Sequence, residues 1–236
     1  MTESKPSRWG AAIGGGIVGA AVTAVLLVLA APTLIGERLV RDAIVRHPDI
    51  LVEASDALRD RQYAPTLDAQ RASIETPFHS SWKGAAKPEV TLAYYYDYAC
   101  GYCRKSNPDI ERLLAEDKGL RVVFHEMPIL GPSSLAASRV ALAASKAGKF
   151  AAFHDTLNAA GNPTPAALAE AAAAAGISPA PQDVADQEAA LKRNFQVAGQ
   201  LGATGTPLFV VGDRVINSAV GYDVLKDAIA DARARG

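Results

Sequence analysis

Two cysteines, Cys100 and Cys103, are the residues of this chain best suited to chemistry. They lie three positions apart in "YYYDYACGYCRKSNPDI", residues 94–110. On the first turn of a helix, that spacing makes the sulfurs neighbours that can close a disulfide. A helix N-terminus also stabilises a thiolate on the first cysteine, and Arg104 and Lys105 add positive charge nearby. The pattern predicts a redox pair, with Cys100 as the nucleophile and Cys103 as the resolving thiol.

Two other uses of the pair are weaker. A structural disulfide across a four-residue ring stabilises little, because the loop-closure entropy that it removes grows with loop length. A zinc site needs further ligands, and none of the 4 histidines has ligand spacing with the cysteines. The sequence therefore predicts no metal site. Tyr102, between the cysteines, is expected to be exposed and to contact substrate.

The surrounding pattern is that of an α/β domain. A β-branched and aromatic run without helical period, "EVTLAYYYDY", predicts a strand that ends before the cysteines, and a helical pattern follows them. The later segments are a strand "LRVVFHEMPIL", alanine-rich helices over about 133–175, a helix over about 182–201, a hairpin at Gly212-Asp213, and a helix over about 222–232. This order predicts a domain at 89–236 with helices inserted over about 133–200.

The N-terminal part is predicted to target the chain. Residues 9–36 are uncharged and follow Lys5 and Arg8, so this run is long enough to cross a bilayer. Val28-Leu29-Ala30 also offers a small-residue cleavage site, so residues 1–36 are either a signal peptide or a membrane anchor. Both alternatives predict export, which in a bacterium means the periplasm, where disulfides persist.

Between the targeting segment and the domain, two regions differ in pattern. Residues 37–62 predict two short amphipathic helices, the second starting near Pro48. Their apolar stripes must pack either on the main domain or on other copies of the chain, which makes 37–62 a candidate oligomerisation segment. Residues 63–88, with several prolines, predict a mostly irregular linker with a little helix near 69–74.

Composition narrows the function classes. The chain has 236 residues, of which 49% are hydrophobic and 21% charged, so it can bury a core without a disulfide scaffold. The net charge is −1, and the 24 basic and 25 acidic residues are well mixed. These features argue against a nucleic-acid partner.

Three separated stretches resemble the DsbA-like thioredoxin-fold oxidoreductases of bacterial envelopes: "YDYACGYC", "RVVFHEMPILGPSS" and "GATGTPLFVVGDRVINSAVGY". The segment "VRDAIVRHPDILVEASDALRDR" is similar to the N-terminal segment of the ScsC-like branch. The resemblance implies a thioredoxin fold with an inserted helical subdomain. It also implies that Thr206 and a cis-Pro207 form a substrate-docking loop facing the cysteines, with Thr206 tuning the redox behaviour. A copper-handling role is suggested by this resemblance alone.

One position departs from the family pattern. Six residues before the first cysteine, many relatives carry a buried carboxylate that moves protons to and from the second cysteine, and this chain has Tyr94 there. Tyrosine is a poor base at neutral pH, so Glu126 or water would take the role, or proton transfer is slower. The simpler interpretations are that Glu126 is solvated near a strand end and that Asp97 is a turn residue. His125 and His154 are interpreted as structural.

The sequence therefore predicts an envelope thiol–disulfide oxidoreductase acting on cysteine-containing exported proteins. It needs no metal or organic cofactor, because the Cys100–Cys103 disulfide itself carries two electrons, and a membrane redox partner would reset the pair. The direction stays open between oxidase and isomerase or reductase. The alternative is a membrane-tethered binding or chaperone module of the same fold with little redox turnover.

Overall fold

The computed structural model of the chain describes residues 36–180 and 184–235. The helices in these ranges are α1 (Gly36–Arg46), α2 (Asp49–Glu75), α3 (Gly101–Glu116), α4 (Pro132–Lys146), α5 (Phe150–Ala160), α6 (Pro165–Ala175), α7 (Ala185–Gln200) and α8 (Tyr222–Arg235). The strands are β1 (Trp82–Gly84), β2 (Val90–Tyr96), β3 (Leu120–Glu126), β4 (Leu208–Val211) and β5 (Arg214–Ile216). The described residues divide into two compact units between Leu58 and Arg59.

The described part of the first unit is an exposed pair of helical segments. α1 ends at Arg46 and α2 begins at Asp49, so the break at Pro48 is where the sequence predicts it. No side chain described in residues 38–58 is buried. The large apolar side chains exposed here are Leu39, Val40, Val45, Ile50, Leu51, Val52 and Leu58. An apolar surface of this extent is typical of a segment that associates with something else.

The prediction of an irregular linker over 63–88 is wrong for its first half. α2 continues as a regular helix through Pro65 to Glu75. The reason is burial: Leu67 and Ile74 are packed in a core cluster that also takes up Tyr63. A proline inside a helix costs about 3 kcal/mol, and burying two such side chains returns about 1.5–3 kcal/mol each. The second half contains the short strand β1, which the sequence analysis also missed.

The second unit is built on one five-stranded sheet of order β1-β3-β2-β4-β5. β2 and β3 are parallel, and Tyr96 is opposite Glu126 in their register. β1, β4 and β5 join the sheet by antiparallel pairing. β2 is central, and large aromatic side chains from it are buried on both faces. The predicted α/β order of strand, helix, strand, helices, two strands and helix is confirmed.

The helices α4–α7 are inserted between β3 and β4, as predicted. Phe150, Phe153 and Leu157 of α5 pack into the same core cluster as β2 and β3. α6 is capped at its N-terminus by Thr164, whose hydroxyl accepts the Ala167 N–H, and at its C-terminus by Gly176, which has a left-handed φ of 66°. The predicted start of α7 near residue 182 lies outside the described residues.

Within the described ranges, no helix is both long enough and apolar enough to cross a membrane. The apolar run that the sequence interprets as a signal or anchor, residues 9–36, lies outside these ranges except for Gly36.

Candidate functional site

The fold places both cysteines at the start of α3, immediately beyond the central strand. Cys100 is the N-cap residue of α3, and Cys103 is on its first turn. Both are free thiols, with Cys100 6% exposed and Cys103 2% exposed. The first cysteine is therefore the more accessible one, as expected, although both are largely enclosed. Cys100 thus lies at the N-terminal end of α3, where the helix dipole carries its partial positive charge.

The loop before β4 meets this end of α3. The Thr206–Pro207 peptide bond is cis, as the resemblance implied. The Cys100 thiol donates to the Thr206 carbonyl oxygen at an Sγ–O distance of 3.3 Å. The Thr206 hydroxyl is buried and makes no regular hydrogen bond with the described residues, but it acts on the Cys103 thiol as a nearby dipole that lowers the pKa.

The Cys103 thiol stays protonated at neutral pH. Burial raises the pKa of its thiol to about 12, against smaller lowering effects from the Asp97 backbone and the Thr206 hydroxyl. Only a thiolate attacks a disulfide at a useful rate. Cys103 therefore has to give up its proton in the step in which it reacts, and the neighbouring groups decide where that proton goes.

Tyr94 does not supply a base for this step. Its hydroxyl is buried beside α3, 3.2 Å from the Cys103 carbonyl oxygen and 3.2 Å from Asn107 Oδ1. Burial, with Cys103 close by, raises its pKa well above the ordinary value for tyrosine. Tyr94 therefore anchors the first turn of α3 and stays neutral.

Glu126 is fully buried, so the interpretation that it is solvated is wrong. α4 and α5 cover the end of β3. Ser138 Oγ donates to Glu126 Oε2 at 2.9 Å, and the Tyr96 hydroxyl donates to Oε1. Burial raises the pKa of Glu126 to about 8. Both carboxyl oxygens are thus engaged with hydroxyl groups, and neither forms a hydrogen bond with Cys103.

A buried polar cluster extends from Glu126 toward the inserted helices, and sequence reasoning missed it. Tyr96 and Tyr98 hydroxyls are 3.0 Å apart, and Tyr98 is 3.0 Å from Nδ1 of His154. Asn158 contacts the other ring nitrogen at 2.8 Å. Burial lowers the pKa of His154 to about 3, so this ring is neutral. The members of the cluster come from two strands and two helices that are separated in sequence. No local pattern in the sequence could therefore have revealed it.

His125 lies apart from this cluster. Its Nε2 is 2.7 Å from the Ile74 carbonyl oxygen of α2, and burial lowers its pKa to about 4. Its contacts fit a structural role, as the sequence analysis expected.

Asp97 is a turn residue, as expected, and its side chain also links two segments of the chain. Its carboxylate accepts three backbone N–H bonds, from Ala99 at 2.7 Å, Ile129 at 2.8 Å and Leu130 at 2.9 Å. Its own carbonyl accepts the Cys100 N–H at 3.0 Å. Asp97 therefore joins the cysteine loop to the turn that follows β3.

The outer side of the site is formed by α3 residues next to the pair. Tyr102 is 68% exposed, as predicted for a residue between the cysteines. The Arg104 guanidinium donates to the Tyr98 and Ala99 carbonyl oxygens, so its charge is held against the cysteine loop. Across the described ranges, no group of three or more His, Cys, Asp or Glu side chains is placed to hold a metal ion.

Comparison with known proteins agrees with this geometry. Residues 91–230 match the model of the DSBA-like thioredoxin domain, and residues 37–64 match that of the copper resistance protein ScsC N-terminal domain. The curated Na(+)/H(+) antiporter NhaA 1 of Salinispora arenicola is 28% identical over 157 residues, which are 64% of this chain and 24% of the antiporter. The match thus spans about a quarter of that relative's length.

Two solved structures are also similar. ScsC of Proteus mirabilis, in a transitional conformation, is 28% identical with a TM-score of 0.67, covering 85% of this chain and 94% of that one. A periplasmic thioredoxin-like protein from Salmonella enterica serovar Typhimurium is 29% identical with a TM-score of 0.64, covering 70% of this chain and 95% of that one. With the domain match covering more than half of its length, this chain belongs to the DSBA-like thioredoxin family and carries an ScsC N-terminal domain.

Proposed function

We propose that this protein is a thiol–disulfide oxidoreductase of exported proteins, working through Cys100 and Cys103. The observation that carries the proposal is the placement of Cys100 at the N-terminus of α3. There its thiol is hydrogen-bonded to the carbonyl of Thr206 in the cis-proline loop. That arrangement places the Cys100 sulfur at the N-terminal end of a helix and, beside it, a backbone edge for a substrate.

The chemistry is disulfide exchange through Cys100. In one direction, a substrate thiolate attacks Cys100 Sγ of the oxidised pair, which breaks the Cys100–Cys103 bond and releases the Cys103 sulfur as a thiolate that takes up a proton. A second substrate thiolate then displaces Cys100, so the substrate is oxidised to a disulfide and the pair reduced to two thiols. The reverse sequence reduces a substrate disulfide. The pair itself carries the two electrons, so no metal or organic cofactor is needed.

Thr206, Pro207 and Tyr102 are proposed to bind the substrate. The Thr206 carbonyl already accepts a hydrogen bond at Cys100, and proline removes a competing N–H from the loop. An extended substrate can then pair with the backbone at Thr206 like an added strand. Tyr102 offers an exposed aromatic surface beside the same sulfur.

The proposed setting is the periplasm, with a membrane redox partner that resets the pair. The likeness to a periplasmic thioredoxin-like protein and to ScsC supports this location. Tethering through residues 9–36 remains part of the proposal.

Residues 37–62 are proposed as an oligomerisation segment. The exposed apolar side chains of α1 and of the start of α2 support it, since burying them against other copies would remove apolar surface from water. An oligomer with several pairs would favour isomerase or reductase activity, and a monomer kept oxidised would favour oxidase activity. Light scattering on the chain with and without 37–62 tests this, and a monomer in both cases would refute self-association.

The main test follows the pair in glutathione buffers to its midpoint potential. A value of about −120 mV would indicate an oxidase, and about −200 mV or lower an isomerase or reductase. In the matched variants, Cys103→Ser should accumulate a mixed disulfide with substrate, whereas Cys100→Ser should form none. No reversible couple, together with undiminished holding of unfolded proteins by the double serine variant, would favour the binding-module alternative instead.

A further inference from the structure

Glu126 is a fully buried acid at one end of a chain of hydrogen bonds that runs into the inserted helices. Its Oε1 accepts the Tyr96 hydroxyl, and the Tyr96 and Tyr98 hydroxyl oxygens are 3.0 Å apart. Nδ1 of His154 is 3.0 Å from Tyr98 Oη and 3.3 Å from Tyr96 Oη. Nε2 of the same ring is 2.8 Å from Nδ2 of Asn158, which is half-buried on α5. The chain thus connects a buried carboxyl group with a half-buried amide.

The links of this chain each have one hydrogen to give. A hydroxyl has a single hydrogen, and a neutral imidazole carries a proton on one of its two nitrogens. Burial lowers the pKa of His154 to about 3. Burial also raises the pKa values of Tyr96 and Tyr98 well above the ordinary value for tyrosine. These three side chains therefore stay neutral near pH 7, and Glu126 is the member of the chain whose charge can change.

When Glu126 is ionised, the hydrogens of the chain point toward it. Tyr96 donates to Oε1, Tyr98 donates to Tyr96, and Nδ1–H of His154 donates to Tyr98. The unprotonated Nε2 then accepts from the amide NH₂ of Asn158, the group that faces it. In this arrangement His154 carries its proton on Nδ1.

A proton on Oε1 of Glu126 reverses these bonds. The carboxylic acid donates to Tyr96, so that Tyr96 donates to Tyr98 and Tyr98 donates to Nδ1 of the ring. Because Nδ1 now accepts, His154 carries its proton on Nε2, and a half-turn of the Asn158 amide brings Oδ1 to accept it. One solvent proton has entered at Nε2, each link has passed one hydrogen inward, and the carboxylate has gained one.

The other carboxyl oxygen is less suitable for the proton. Oε2 accepts from Ser138 Oγ at 2.9 Å, and within residues 36–180 and 184–235 this hydroxyl makes no second hydrogen bond. A proton on Oε2 would therefore turn the buried Ser138 hydrogen away without an acceptor in place. On the Oε1 side, the hydrogen that leaves the carboxyl group finds Tyr98 Oη 3.0 Å from Tyr96 Oη.

The remaining polar groups packed around Glu126 do not replace it as the titrating group. Burial raises the pKa of Glu126 to about 8, and the negative charge of Asp97 contributes to the rise. Asn194 of α7 donates to the Glu126 backbone carbonyl at 3.0 Å, and an amide does not titrate. The charged side chains beyond the outer part of the chain are Lys83 and Asp155, which are paired at 2.9 Å.

We propose that the proton of Glu126 sets the direction of the whole chain, so that His154 carries its own proton on Nε2 when Glu126 is protonated and on Nδ1 when it is ionised. In both directions Tyr98 stays hydrogen-bonded to Tyr96 and to the ring. Because Tyr98 is two residues before Cys100, the cysteine loop keeps this anchor while the buried carboxyl group changes its charge. The chain is a pH-sensitive switch that exchanges a buried proton at α5 without opening the loop.

NMR on the full-length protein tests the switch directly, because the ¹⁵N shifts of the two ring nitrogens give the tautomer. His154 should change from the Nε2–H form to the Nδ1–H form as the pH rises through about 8, with the same midpoint as the ¹³C shift of the Glu126 carboxyl group. His125 is the internal control. Its Nε2 is 2.7 Å from the Ile74 carbonyl, which can only accept, so it should stay in the Nε2–H form. A His154 ring that keeps one tautomer, or a Glu126 that does not titrate, would refute the switch.

Two variants test the order of the links. Glutamine in place of Glu126 presents a permanent donor to Tyr96, so Glu126→Gln should hold His154 in the Nε2–H form at every pH. Tyr96→Phe interrupts the chain and should also abolish the pH dependence of the tautomer. Glu170→Gln, at an exposed carboxylate of α6, is the matched control and should switch like the wild type. A switch that survives in Glu126→Gln or in Tyr96→Phe would contradict the proposal.

Alkylation of Cys100 in the reduced protein tests whether the cysteine loop keeps its anchor. The rate with iodoacetamide, divided by the rate for Glu126→Gln at the same pH, should stay constant within about threefold from about pH 6.5 to about pH 9.5. A larger change through pH 8 would show that ionisation of Glu126 loosens the loop, and would refute the anchor. Neither readout requires disulfide exchange, so both can fail or succeed independently of the proposed function.

Discussion

Replacing Glu126 by glutamine should make the stability of the protein less sensitive to pH. Glu126 is the last residue of β3 and is buried beside α4. Burial raises the pKa of its carboxyl group to about 8. Glutamine keeps the size of a protonated glutamate and offers both a donor and an acceptor to Tyr96 and Ser138. The variant therefore removes the titration while retaining most of the packing.

The sign and size follow from proton linkage. In the unfolded chain Glu126 has its ordinary pKa of 4.5, so between that value and about 8 the folded state holds one proton more. Its stabilising contribution is complete at low pH and is lost as the pH rises through about 8. Linkage gives a loss of about 1.3 kcal/mol in unfolding free energy between about pH 7 and about pH 8.5.

Urea unfolding measured at several pH values in this window, for wild type and variant, gives the difference directly. His125, His154 and Cys103 also titrate abnormally, but their contributions cancel in the comparison. Glu170→Gln, at an exposed carboxylate on α6, serves as the control and should follow the wild type. If wild type and Glu126→Gln had the same pH slope, Glu126 would be ionised in the folded protein and the burial argument would be refuted.

Three further results are expected. Because the pKa of Cys103 is about 12, the rate at which Cys103 resolves a mixed disulfide on Cys100 should rise about tenfold per pH unit between about pH 6 and about pH 9. A flat pH profile in quenched-flow experiments would contradict this. Tyr94→Phe should lower the unfolding free energy by about 1–2 kcal/mol in urea titrations, because it removes the hydroxyl that is hydrogen-bonded to Cys103 and Asn107. An unchanged midpoint would show that these hydrogen bonds contribute nothing. Arg71→Ala should cost about 0.5–1 kcal/mol, because Arg71 is partly exposed where it pairs with Asp213 at 2.8 Å, and Asp213→Ala should cost no more than this.

The parts of the fold that follow from local pattern were predictable. The strand before the cysteines, the helix after them and the glycine-bounded helices of the insertion all have signals in contiguous residues. The same is true of the exposed Tyr102, because its position is set by the two cysteines that flank it. The cis bond at Pro207 was reached through resemblance, since no local pattern separates it from other X–Pro bonds.

The failures have a common cause in tertiary burial. The helical pattern of α2 is weak around Pro65, and the helix persists there because Leu67 and Ile74 are buried by strands far along the chain. Glu126 looked solvated because it ends a strand, yet helices inserted after it close over that end. In both cases the deciding contacts join residues that no local window contains together.

The arrangement of buried groups bears on where the proton of Cys103 goes. Asp97 and Thr206 lower the pKa of the Cys103 thiol through a backbone group and a hydroxyl, neither of which is a base. Tyr94 is held neutral by burial. Glu126 has both oxygens engaged by hydroxyl groups and forms no hydrogen bond with the sulfur. The proton acceptor is then best sought outside the buried residues, namely in water or hydroxide that reaches Cys103. Since only the thiolate attacks, loss of this proton precedes resolution, and the rate should therefore follow pH and be fastest for substrates whose leaving thiol has a low pKa.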